Sequence, residues 1–167
     1  MRKKYLLICI SLFAALFIYL FYRTGRTLVN EMLVHVISLD TYVRLKANIV
    51  SALPLSDTII YSLPEALWIF CITLTSKPYY IKLNKRRFDC KFIPLIFCVG
   101  LEMLQLFHIT RGRFDFMDIG LSVIFWILGG FVLKDKAEKR NIFTRPDANM
   151  VICLASYTIV YLAHVFK

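Results

Sequence analysis

The sequence predicts an all-α, polytopic membrane helix bundle of about five spans, forming a single domain over residues 1–167. Two observations carry that expectation. The first is composition: 59% of the residues are hydrophobic, too many for an ordinary soluble domain. The second is the placement of the 21 Lys and Arg residues. Three fall in Met1–Lys4, six in Lys77–Lys91 and five in Lys134–Arg145, whereas the alternate connections carry four, two and one. This alternation is the positive-inside rule acting on a five-span chain with a cytoplasmic N-terminus. Topology thereby absorbs the formal net charge of +10. Nucleic-acid binding is not expected, since no soluble basic fold is left to carry it.

A span needs roughly 20 residues of apolar helix. The expected spans lie near Tyr5–Tyr22, Ile59–Ser76, Phe92–Thr110, Phe114–Leu133 and Met150–Phe166. The first follows a basic Met1-Arg2-Lys3-Lys4 start, as a signal sequence would. The run ends in Phe21-Tyr22-Arg23 without a small-residue cleavage site, so it reads as a retained span, and Cys9 lies too early in it for lipidation.

The outer connection Arg23–Thr58 carries Leu28, Val29, Met32, Leu33, Val36 and Ile37 at helical spacing. Asn30, Glu31, His35 and Ser38 lie on the other side. That pattern predicts an amphipathic helix in the membrane interface or capping the bundle. A second is expected over Tyr42–Leu53, closed by Pro54. In the next span, Ser62-Leu63-Pro64-Glu65 reads as a capping box with proline in the first turn. Glu65 is then a helix cap near the outer boundary, with a role in the site as the alternative.

The connections Lys77–Lys91 and Lys134–Asp147 read as solvated cytoplasmic loops that set topology, the second ending in Arg145-Pro146-Asp147. Cys9, Cys71, Cys98 and Cys153 lie in spans and Cys90 in a connection. They have no metal-like or disulfide-like spacing and read as small packing residues.

Any chemistry concentrates in Gly100–Gly130. Glu102 and Gln105 share a helix face, Arg111 and Arg113 sit in a short turn, and Asp115 and Asp118 share a face of the next helix, which Ser122 continues. Acids within membrane segments are costly and are kept for a partner or a task. Glu102 precedes Arg111 by nine residues, about 13 Å of continuous helix, which makes it the deepest of them. Asp115 and Asp118 can also be explained by the helix dipole, or by pairing with Arg111 or Arg113. Gln105 can act as interhelical glue, and Gly129 and Gly130 as close-packing positions. His108 is read as interfacial, and no His and acid set has a recognisable metal spacing. Neither a metal nor a cofactor is expected.

At these residues the chain resembles the VanZ-like family of small bacterial membrane proteins. The family pattern is Glu, two residues, Gln, then a short turn with Arg, a hydrophobic residue and Asp, with a second Asp and an Asn further along and a Gly-rich helix after them. Glu102 and Gln105 match the first pair, Arg113-Phe114-Asp115 the turn, Asp118 the second acid and Gly129 the later glycine. Ser122 stands in place of the usual Asn and Phe125 in place of a first glycine. The match covers about thirty residues. The family is named for an accessory protein associated with teicoplanin resistance. The resemblance implies a protein of the bacterial cytoplasmic membrane with a polar site opening outward.

The expected function is binding, or modification, of a lipid-linked or amphiphilic envelope ligand. Glu102 would be the acid/base candidate with Asp118 its partner. Gln105 would orient the ligand, Arg111 and Arg113 would contact an anionic group, and Asp115, Ser122 and Glu65 would complete the site. The alternative is a non-enzymatic subunit of an envelope assembly whose polar residues lock the hairpin, its protein partner unspecified. A transporter is disfavoured, because the chain shows no inverted repeat and no broken-helix pair.

Overall fold

The computed structural model describes residues 2–23, 34–83, 86–109, 113–132, 139–143 and 150–157. Most of these are helical. The helices are α1 (Arg2–Phe21), α2 (Leu39–Ala52), α3 (Asp57–Ser76), α4 (Ile93–Leu106) and α5 (Phe116–Phe131), and residues 34–37 and 150–157 are helical as well. Among the described residues, two segments, Lys3–Phe21 and Asp57–Ser76, are long and apolar enough to cross a membrane. The helices α4, with 14 residues, and α5, with 16, are shorter than the spans expected for them. The remainder of the expected fifth span, 158–166, lies outside the described residues, as do residues 24–33 of the outer connection.

Helix α3 is the core of the bundle. Its apolar window is 61% buried, against 17% for α1, so α1 lies at the periphery. The most extensive packing joins α3 to α5, and α1 packs on α3 next. Close approach of α3 and α5 depends on Gly129, where an added Cβ would stand 3.1 Å from Thr73 Cβ and 3.3 Å from the Phe70 carbonyl oxygen. Phe125 meets Phe70 edge-on at 6.3 Å between ring centroids. Gly130, read with Gly129 as a packing position, faces open space. Large apolar side chains such as Phe13, Phe116 and Phe131 are exposed along α1 and α5.

The capping box is not formed. Helix α3 starts at Asp57, and Ser62, Pro64 and Glu65 all lie inside it, with Ser62 only 2% exposed. The apolar residues before Ser62 extend the helical run outward, and the packing of α3 outweighs the one backbone bond that Pro64 cannot donate. Arg23 lies at this point: its Nη2 donates to the Tyr61 carbonyl at 2.9 Å and its guanidinium stacks over Tyr19 at 4.3 Å.

The expected amphipathic helix over Tyr42–Leu53 is present as α2. It is tied to the C-terminal end of α1 by Tyr42 Oη donating to the Leu20 carbonyl and Tyr22 Oη donating to that of Leu53, both at 2.6 Å. Tyr42 is buried, while Leu39, Val43, Leu45 and Val50 remain exposed. Such a face suits an interfacial helix.

The two basic connections differ from solvated loops. Tyr79–Leu83 (β1) pairs antiparallel with Arg86–Asp89 (β2), and β1 pairs in parallel with Arg140–Asn141 (β3), giving the order β2-β1-β3. Tyr79, Tyr80 and Ile81 supply the aromatic and β-branched character that favours a strand. Tyr79, Cys90, Ile142 and Cys153 form a small core beneath the sheet. Burial pushes the Cys90 thiol up to about 11, which makes it an inert packing group. Lys139 and Asp89 pair at 2.5 Å across the two connections. The sheet therefore holds both basic connections at one end of the helices.

Candidate functional site

The hairpin between α4 and α5 is built from two caps. Helix α4 ends in a Schellman motif: the Ile109 amide donates to the Leu104 carbonyl and the His108 amide to that of Gln105, both at 2.9 Å. His108 takes the left-handed conformation at φ 57°, the position usually given to glycine. Its role here is to stop the helix. Helix α5 begins at an N-cap, Asp115, whose Oδ1 accepts from the Met117 amide at 2.8 Å. The cap gives Asp115 a structural role at the helix N-terminus, where the dipole also favours an acid.

The early stop of α4 changes the expected position of Glu102. That residue lies four residues before the helix end, about 6 Å of rise, rather than 13 Å from a continuous helix terminus. Its Oε2 accepts from the Asp115 amide at 3.1 Å, which sets Glu102 level with the first turn of α5. It is still only 2% exposed.

Three helices then contribute one acid each. Carboxylate oxygens of Glu65 from α3, Glu102 from α4 and Asp118 from α5 all lie within 4.8 Å of one another. Cys98, one turn before Glu102, donates its thiol to Glu65 Oε1 at 3.6 Å. Asp118 Oδ1 is a buried atom without a hydrogen-bond partner among the described residues. Ser122, one turn after Asp118, is 1% exposed, and its hydroxyl likewise has no hydrogen-bond partner among them. At this separation each pair of full negative charges would repel by about 3–4 kcal/mol at an effective dielectric of 20. The cluster can be stable only with cations or shared protons to offset that repulsion.

The sequence-predicted residues therefore divide. Glu102, Asp118, Glu65 and Ser122 come together. Asp115 touches Glu102 through its backbone, and its own carboxylate is used in the cap. Gln105 is half-buried and makes no side-chain hydrogen bond among the described residues. Arg113 is exposed and forms no ion pair among them. Arg111 lies outside the described residues. Sequence reasoning missed Cys98, whose signal was its spacing of four from Glu102, and Arg23, which sits one helical turn from Glu65 through its bond to Tyr61.

Asp115→Asn should leave stability within about 0.5 kcal/mol, because an amide oxygen still caps, while Asp115→Ala should lower it by about 1 kcal/mol. Thermal unfolding of the detergent-solubilised variants checks both.

No protein-family model, no curated protein and no solved structure matches this chain.

Proposed function

We propose that this chain is a VanZ-like integral membrane protein of the bacterial cytoplasmic membrane with five spans and a cytoplasmic N-terminus. Its outward-facing polar site binds, or modifies, a lipid-linked or amphiphilic envelope ligand. The observation that carries this reading is the convergence of Glu65, Glu102 and Asp118 from three helices at one end of the bundle. The basic sheet lies at the other end: Glu65 is eleven residues, about 16 Å of helix, from the Ser76 terminus of α3 that leads into β1. Charge asymmetry assigns the sheet to the cytoplasm, and the acids then open outward. Arg113 at the mouth, with Arg111 beside it in sequence, supplies positive charge for an anionic headgroup.

The test has two arms in a cysteine-free background. Arg113→Cys should react with a membrane-impermeant maleimide on intact spheroplasts, whereas Lys82→Cys should react only after lysis. The reverse pattern removes the outward site. In the second arm, lipids co-purifying with the parent chain are compared with those of Asp118→Asn. Loss of a specific phosphate-bearing lipid at normal protein abundance supports the reading, and an unchanged lipid profile with full complementation of a deletion strain sinks it.

A second reading is favoured by one contact. The Glu102–Asp115 bond joins α4 directly to the start of α5, as a polar lock would in a non-enzymatic envelope subunit. On that reading the site variants lose abundance together with function.

A further inference from the structure

We propose that Glu65, Glu102 and Asp118 hold a hard divalent cation between α3, α4 and α5, with Ser122 as a fourth oxygen donor. The proposal stands whether or not the protein binds an amphiphilic ligand.

The donor set is all oxygen, which selects the Mg2+, Mn2+ and Ca2+ class over softer metals. Its spacing suits such an ion. Ligand oxygens at 2.3–2.6 Å on opposite sides of one Ca2+ stand about 5 Å apart, and the three carboxylate oxygens here are all within 4.8 Å of each other. Glu102 is only 2% exposed, and no Lys or Arg is paired with Glu102 or Asp118 among the described residues.

Ser122 is the independent observation. Hydroxyls inside helices usually bond back to a carbonyl of the preceding turn. Thr73 does so to Ile69 at 2.7 Å, Thr75 to Ile72 at 2.9 Å and Ser156 to Ile152 at 2.7 Å. The Ser122 hydroxyl does not, although it is 1% exposed. It lies beside Cys98, the residue whose thiol reaches Glu65. Asp118 Oδ1 is unpartnered one turn away on the same helix face. Two buried oxygens without hydrogen-bond partners among the described residues, next to two further carboxylates, suit a cation. A proton on one carboxyl would partner only one of them.

The test uses the full chain in nanodiscs, stripped with chelator, and Mn2+ as a paramagnetic probe. Electron paramagnetic resonance should show one bound Mn2+ per chain, displaced by Ca2+ or Mg2+ but not by Na+. Glu102→Gln and Asp118→Asn should each weaken binding at least tenfold, and Ser122→Ala should weaken it by a smaller factor. Asp89→Asn should leave it unchanged. Mn2+ should also raise the Tm of the parent chain but not that of Asp118→Asn. Absence of stoichiometric Mn2+ binding to the parent chain overturns the proposal without use of any variant. Equal binding by parent and both carboxylate variants overturns it as well.

Discussion

Glu102→Gln is expected to abolish whatever the three-acid site does while the protein still inserts and folds. The amide keeps an oxygen that can accept from the Asp115 amide, so the α4–α5 junction survives. Its lost charge relieves repulsion from Glu65 and Asp118, which lie within 4.8 Å. In chelator the variant should therefore unfold at a Tm equal to or above the parent's. Glu102→Ala removes the same charge but also the acceptor, and it leaves a hole at a position only 2% exposed. It should be less stable than the glutamine variant by about 2–4 kcal/mol, the sum of an unsatisfied buried amide and a cavity. The comparison is clean because the electrostatic change is common to both. Membrane abundance, Tm and complementation measured side by side would check it. A glutamine variant that is both unstable and scarce would transfer the residue from a functional role to the structural lock.

Gly129→Leu is expected to prevent normal packing of α5 on α3 and to strip most folded protein from the membrane. A Cβ alone would stand 3.1 Å from Thr73 Cβ, 3.2 Å from its Cγ2 and 3.3 Å from the Phe70 carbonyl. Backbone oxygen and a branched, fully buried side chain cannot yield as a flexible tip would. Gly129→Ala should cost about 1–3 kcal/mol, and leucine more. Gly130→Ala is the matched control, since nothing lies within 4 Å of its added Cβ. Removal of a helix-interior glycine there should stabilise by up to about 1 kcal/mol. Equal behaviour of the two alanine variants would show that the α3–α5 approach is looser than described.

Much of the helical pattern was legible because apolar runs and helical periodicity are local properties. The extents of α1 and α2 and the helix-terminal place of Asp115 follow from residues adjacent in sequence. What escaped depended on contacts between distant segments. Glu65 looked like a cap because Ser62 and Pro64 lie beside it, and only the packing of α3 against α4 and α5 turns it toward Glu102 and Asp118. The stop after Leu106 was hidden because histidine rather than glycine takes the left-handed position. The sheet was hidden because β1 and β3 lie some sixty residues apart, and each is too short to register as a strand alone.

The shortness of α4 and α5 has a consequence for lipid. Their 14 and 16 residues rise about 21 and 24 Å, against a hydrocarbon thickness of about 30 Å. In a five-span arrangement this hairpin is a negative hydrophobic mismatch. The adjoining leaflet would relax by thinning, at a fraction of a kcal/mol per Å. Headgroups would then sink toward the turn that carries Arg113, and on the proposed function an amphiphile would reach the three carboxylates without its polar end leaving the interface. In that arrangement the protein would draw the membrane surface toward its own buried acids.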